Sequence, residues 1–358
     1  MNFLFKNKKI SSMLVVLPEN ESLFDDEIEN YDFPPKNSKR LKKVMGFERH
    51  RVVTKESTCA SDFCIHGLRY LFDTKRLSPD EIDAMIYVTE TPDYFMPPTS
   101  NVIQGELGLG EDIVCLDINQ GCAGFLVGLI QAFMLLDQEA IQKVVLLNAD
   151  TLTRITSKKD RNAYPIVGDG ASITVLENSA TPNTIYANIK MNGESHRAIM
   201  IPAGGFRLPT SDETREMKVA DEGNLRSLNH YHMDGITVFN FVQNMIPPLI
   251  DDLLDWAGRS KESIDYYMFH QPNQFMLEKL AHGMGVPVEK MPNDLVGIYG
   301  NNMSATIPTA IAHHLGDEMK EKQYSMCLSG FGVGLTRSSM LIDVGPLDFC
   351  EMIDFQES

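Results

Sequence analysis

The sequence predicts an α/β fold made of two similar halves, on three observations. First, short apolar runs recur without strict alternation: AMIYV (84–88), DIVCLDI (112–118), KVVLLNA (143–149), ASITVL (171–176) and YSMCLSG (324–330). Such runs suit strands buried on both faces under helices. Second, helical stretches lie between them. AGFLVGLIQAFMLL (123–136) is apolar nearly all round, which predicts a central helix. VFNFVQNMIPPLIDDLLDW (238–256) reads as a helix that Pro247 and Pro248 kink or divide. Third, the chain repeats itself faintly. SPDEIDAMIYVTETPD (78–93) resembles SKESIDYYMFHQPN (260–273), and VGDGASITVLE (167–177) resembles SGFGVGLTRSSMLIDV (329–344). Ser78 and Ser260 suit turn-forming or helix-capping positions ahead of matching strands. The polar join NSATPNT (178–184) places the halves at 1–180 and 181–358. Residues 204–232 show no clean period and read as an insertion or substrate-side loop.

Composition narrows the function. The 358 residues are 43% hydrophobic and 23% charged, enough for a real core. A net charge of −17 argues against a general nucleic-acid binder, which needs a basic face. It leaves room for an anionic small substrate held by a local basic patch. The six cysteines form no C-x-x-C pair and no metal-ligand spacing, so neither a disulfide frame nor a metal site is expected. Scattered thiols fit a reducing compartment. The N-terminus lacks a signal-peptide pattern, and no run reaches the ~18 apolar residues of a membrane span. A cytoplasmic protein is expected.

Three residues stand where chemistry is done. In DINQGCAGFLVGL (117–129), Cys122 lies between a strand and the central helix, with Gly121 and Ala123 beside it. Unpaired N–H groups at a helix start stabilise a thiolate, and small neighbours let a carbonyl approach. His270 ends an apolar strand in YMFHQPN, at the edge where open α/β sheets place reactive groups. Asn301 follows Gly300 in GIYGNNMSATIPTAI and opens a helix. The repeat gives the three equivalent places in two halves, so their loops converge. A thiol, an imidazole and an amide in one pocket suit acyl transfer from a thioester.

The blocks DINQGCAGFLVGL, IVGDGASITVLE, FHQPNQFMLEKLA, YGNNMSATIPTAI and SGFGVGLTRSS, in this order along the chain, resemble the β-ketoacyl-acyl-carrier-protein synthase III family of the thiolase superfamily. The resemblance runs from about residue 17 to 344. It implies a thiolase-like fold of five layers (αβαβα), a homodimer, and no bound cofactor. It implies that Cys122 takes an acyl group from acyl-coenzyme A or an acyl-carrier thioester. A malonyl-carrier thioester then loses carbon dioxide and condenses, with His270 and Asn301 stabilising the enolate. It further implies an oxyanion hole from the N–H groups of Cys122 and Val333. Asn273 and Phe331 shape the site, Arg161 contacts the nucleotide, and Met96 reaches into a partner's acyl pocket.

The match has departures. The family's coenzyme A-holding run reads SKRLKKVMG (38–46) here, with Arg40 at the tryptophan position and Val44 at the arginine position. Lys39, Arg40, Lys42 and Lys43 offer a phosphate-binding patch in its place. Phe275 stands where a basic carrier-docking residue is expected. Glu90, in VTETPDYF, resembles the general base of hydroxymethylglutaryl-coenzyme A synthases. The alternative is an acyltransferase on the same fold, passing the Cys122-bound acyl group to a hydroxyl or amine of a sugar or secondary metabolite.

Overall fold

Two sheets with helices between and outside them organise the chain. A computed structural model describes residues 1–220 and 222–357. The principal strands are β1 (Asn2–Lys6), β2 (Lys8–Pro18), β3 (Ala84–Thr89), β4 (Val114–Asn119), β5 (Lys143–Asp150), β6 (Gly170–Asn178), β7 (Thr184–Met191), β8 (Tyr266–Phe269), β9 (Tyr324–Gly332), β10 (Thr336–Val344) and β11 (Cys350–Phe355). The principal helices are α1 (Pro35–Met45), α2 (Ala60–Asp73), α3 (Thr99–Glu106), α4 (Gly124–Leu135), α5 (Gly235–Ala257), α6 (Gln274–Met284) and α7 (Thr306–Leu315).

One sheet has the order β11-β2-β6-β5-β3-β4, the other β1-β7-β10-β9-β8. The matching is strand by strand. β2, β6, β5 and β3 correspond to β7, β10, β9 and β8, with antiparallel, antiparallel and parallel pairings in both. The repeated segments fall at corresponding places: Ser78 and Ser260 each precede a single 3₁₀ turn that leads into β3 and β8. The termini cross over. β1 joins β7 in the second sheet, and β11 joins β2 in the first.

The layers follow from which faces are apolar. α4 and α7 lie between the sheets, α2 and α3 cover the outside of the first, and α5 and α6 cover the second. α4 buries Phe125, Leu126, Leu129, Ile130 and Phe133, each worth roughly 1.5–3 kcal/mol when removed from water. It presses so close to β5 that a Cβ on Gly128 would lie 2.5 Å from Leu146. This is the five-layered thiolase-like arrangement, with the all-apolar helix at its centre.

Two expectations change. Pro247 and Pro248 do not divide their helix, since α5 runs unbroken through both. Its ends are well sealed: the Asp234 side chain accepts from the N–H groups of Ile236 and Thr237, and Gly258 closes the helix at φ +65°. Packing of Val238, Phe241, Val242, Ile246, Leu249, Ile250, Leu253 and Leu254 outweighs the missing backbone bonds. The run around 112–118 is not buried on both faces either. β4 is an edge strand, with Val114 exposed and Cys115, Leu116 and Ile118 half-buried.

Candidate active site

Four residues separate the end of β4 from the start of α4, and Cys122 is the third of them. Glycine makes the junction possible. A Cβ on Gly124 would lie 2.6 Å from Val88, and one on Gly330 would lie 2.8 Å from the Cα of Ala123. A Cβ on Gly332 would lie 2.6 Å from both Cβ and Sγ of Cys122. The β9 backbone therefore passes directly over the thiol. Gly332→Ala is expected to displace Sγ by about an ångström and lower turnover on the order of 10²-fold. Near-wild-type melting with that loss, measured on the same preparation, would confirm a positioning effect.

Cys122 is 7% exposed and opens into a cavity of about 780 Å³. His270, Asn301, Asn273, Phe331 and Arg161 line the same cavity, so six predicted residues from distant parts of the chain meet there. The N–H groups of Val333 and of Cys122 itself bond toward the sulfur. Met303 Sδ lies 3.9 Å from it.

The sequence expectation of a stabilised thiolate does not hold. Burial pushes the Cys122 thiol well above its usual range, and the nearby Glu90 carboxyl pushes it further; the two N–H groups only partly oppose this. The resting nucleophile is a thiol.

His270 is neutral for the same reason. Burial drives its pKa down to about 3. Its Nδ1 is 2.8 Å from the Thr306 hydroxyl, which also reaches the Met303 carbonyl at 2.9 Å. The hydroxyl hydrogen goes to that carbonyl, so its oxygen accepts from Nδ1, and Nε2 is the nitrogen left for the cavity. Asn301 is fixed similarly. Its Oδ1 accepts from the Met303 N–H at 3.0 Å, leaving the amide Nδ2 as the free donor. Its own backbone is pinned between Ile166 and Gly168. Met303, which supports both residues, holds φ +50°.

Asn273 caps α6 by accepting from Met276 N–H at 2.9 Å. The Phe331 ring meets the His270 imidazole edge-on at 5.7 Å. Arg161 stacks on Phe33, its guanidinium 3.6 Å from the ring centre. That aromatic was missed in the sequence, while Arg40, set there at the family's tryptophan position, is exposed on α1. The available signal was the aromatic in YDFPP, just ahead of α1. Lys42 does not stand free for a phosphate, since it pairs with Asp25 and Glu48. Phe275 lines the cavity and stacks on Phe239. Residues 222, 226, 231 and 232 of the irregular segment also line it, as a substrate-side loop would.

Two predicted residues lie elsewhere. Met96 is 79% exposed on the loop before α3, beside Tyr94 and Phe95. Glu90 does not line the cavity, yet its carboxyl rests on Gly121, where a Cβ would come within 2.1 Å of Oε2. Burial raises Glu90 above the usual carboxylate range, and the charge of Asp150 adds to it. Asp150 is raised by burial too.

Comparison with known proteins agrees with this geometry. Residues 116–193 match the family profile described as 3-oxoacyl-[acyl-carrier-protein (ACP)] synthase III, and residues 254–344 match its C-terminal counterpart. A Campylobacter jejuni protein named as a 3-oxoacyl-[acyl-carrier-protein] synthase 3 is 30% identical over 340 residues, covering 95% of this chain and 94% of its own. A Fusobacterium nucleatum β-ketoacyl-[acyl-carrier-protein] synthase III is 28% identical over 93% of this chain and 97% of its own. The crystal structure of a 3-oxoacyl-(acyl-carrier protein) synthase from Burkholderia xenovorans superposes with a TM-score of 0.91, at 33% identity and 99% coverage of both chains. With a buried thiol, imidazole and amide converging under a glycine-rich strand, the chain belongs to the 3-oxoacyl-[acyl-carrier-protein] synthase III family of condensing enzymes.

Proposed function

We propose that this enzyme joins an acyl group, carried on Cys122, to a malonyl thioester. The observation that carries the reading is the single cavity shared by Cys122, His270 and Asn301. In the first step Cys122 Sγ bonds the acyl carbon, the donor's C–S bond breaks, and the donor leaves as a thiol with the proton from Cys122. The N–H groups of Cys122 and Val333 would hold the carbonyl oxygen as it gains charge. In the second step the malonyl carboxylate leaves as carbon dioxide. The electron pair becomes an enolate at the thioester carbonyl, which His270 and Asn301 would stabilise by hydrogen bonding. The enolate carbon attacks the acyl-Cys122 carbonyl, the C–S bond to Cys122 breaks, and the released thiolate takes a proton from solvent, giving a β-ketoacyl thioester.

The donor is an acyl-coenzyme A or acyl-carrier thioester and the second substrate a malonyl-carrier thioester. The Arg161–Phe33 stack at the cavity gives a nucleotide or pantetheine arm a cationic and aromatic surface. Asn273 and Phe331 shape the walls around His270. The passing of the acyl group to a sugar or metabolite hydroxyl would need His270 as a base, and its neutral state allows that too. Mixing the protein with an acyl thioester and a malonyl thioester discriminates. Carbon dioxide release with a chain-extended product supports condensation; an acylated Cys122 without decarboxylation defeats it.

We also propose a homodimer. β4 presents an unpaired edge with apolar side chains, and Tyr94, Phe95 and Met96 are exposed on the neighbouring loop. An open apolar edge is a liability unless another chain covers it. A second copy docked there would bring Met96 toward its partner's acyl pocket. Among the described residues no helix is long and apolar enough to cross a membrane, and the six free thiols fit the cytoplasm.

A further inference from the structure

The peptide that holds Asn301 is itself held from behind. The Asn301 N–H donates to the Ile166 carbonyl at 2.7 Å, and the Asn301 carbonyl accepts from the Gly168 N–H at 2.9 Å. That N–H and the Val167 carbonyl belong to one planar peptide, so they point in opposite directions. On the far side, His50 Nδ1 meets the Val167 carbonyl oxygen at 2.5 Å. A carbonyl can only accept, so Nδ1 carries a proton. One peptide is thus clamped between the Asn301 backbone and the His50 ring. Val167 lines the cavity, and His50 lies behind it at 1% exposure.

The surrounding chain fixes the ring. The short strand Arg49–Arg51 passes between the two segments that meet at Asn301. The Arg51 N–H donates to the Tyr299 carbonyl, and the Arg51 carbonyl accepts from the Asp169 N–H, both at 2.9 Å. Gly300, at φ +78°, lets the strand pass this close: a Cβ there would lie 2.7 Å from His50 Cβ. Glu27 aims the ring from the other side, with Oε1 2.7 Å from Nε2. Its carboxylate also accepts from the Tyr31 hydroxyl at 2.9 Å and from the Ser22 hydroxyl. Burial works against the Glu27 charge, yet His50 and the two hydroxyls leave its carboxyl below the ordinary value. An apolar pair of similar volume would fill this space without the loss of solvation. It could not donate to the Val167 carbonyl.

We propose that His50, aimed by Glu27, is a positioning residue for Asn301, because its hydrogen bond to the Val167 carbonyl fixes the peptide that anchors the Asn301 backbone. This rests on the decarboxylation role given to Asn301 above. The bond orients the peptide plane, and it polarises the peptide so that the Gly168 N–H holds the Asn301 carbonyl more strongly. A loosened Asn301 amide matters in the step where charge develops on the malonyl thioester. Acylation of Cys122 draws on the N–H groups of Cys122 and Val333 instead.

The test compares two amides on the full chain. In His50→Asn the side-chain Nδ2 falls near the place of the imidazole Nδ1 and can keep the bond to Val167. In His50→Gln the amide reaches the place of Nε2, toward Glu27, and gives up Val167. Each protein is acylated with butyryl-N-acetylcysteamine, and acyl-Cys122 formation is timed by intact mass. Malonyl-coenzyme A is then added and carbon dioxide release is counted per acylated Cys122, which removes any unfolded fraction from the comparison. Acylation is expected within about twofold of the wild type in both variants. Carbon dioxide release should stay within about threefold in His50→Asn and fall on the order of tenfold or more in His50→Gln. Wild-type release from His50→Gln overturns the proposal, as do a large loss in His50→Asn, equal losses in the two, or acylation that falls in step with release. Each variant has its own required result, so either decides if the other does not fold. A wild type that forms acyl-Cys122 but releases no carbon dioxide defeats the condensation reading, and this proposal with it.

Discussion

Replacing Cys122 with alanine is expected to abolish acyl-enzyme formation and to lower condensation by at least the order of 10³-fold. No other thiol stands in for it. Cys64, Cys327 and Cys350 are buried, and Cys59 and Cys115 are half-buried and absent from the cavity lining. Intact mass after incubation with an acyl thioester should show one adduct on the wild type and none on the variant. An adduct that persists in Cys122→Ala would sink the assignment. The elevated thiol pKa adds a pH signature. Below its pKa a thiol's ionised fraction rises tenfold per pH unit, so alkylation of the substrate-free enzyme by iodoacetamide should climb steadily through pH 9 without levelling. A plateau near neutral pH would mean a preformed thiolate, and burial would then not be the governing effect.

Much of this site was legible before any coordinates. The step from a small-residue turn to an all-apolar helix at Cys122 is a local pattern, and local patterns survive folding. The repeated Ser-acidic-Ile-Asp segments marked β3 and β8 because each half closes the same way. What the chain did not disclose was set by neighbours far away in sequence. The charge state of Cys122 follows from burial under Gly332 and from Glu90, and neither is visible in the DINQGCAGF stretch. Phe33 meets Arg161 across some 130 positions (roughly the reach of a whole half), so neither residue's own stretch shows the pairing. The apolar run of β4 looked like an interior strand because an edge awaiting a second surface has the same composition as a buried one. Pro247 and Pro248 misled in the opposite way: a local helix-breaking signal lost to the tertiary packing of α5.

Replacing His270 with alanine is expected to separate the two half-reactions. Acylation of Cys122 should persist, because the N–H groups of Cys122 and Val333 remain in place. Carbon dioxide release from a malonyl thioester should fall on the order of 10²–10³-fold, the usual loss when one donor to a developing oxyanion is removed. A proportional fall in both steps would instead make His270 a general base for the thiol. Its burial also predicts how the wild type behaves with pH. The folded-state pKa is depressed from 6.5 to about 3, so the imidazole stays neutral from pH 5 to 9 and contributes no acid limb to the decarboxylation rate there. The stability consequence has a definite sign. The unfolded chain takes up a proton at this site near pH 6.5 while the folded chain does not. The stability tied to neutral His270 is therefore complete above pH 6.5 and declines as the pH falls toward 3, by at most about 1.4 kcal/mol per pH unit. Denaturant unfolding at pH 7.5, 6 and 5 should show the wild type losing stability faster than His270→Ala on acidification. Parallel losses would mean that the imidazole is solvated in the native state, and the neutral-imidazole role would go with it.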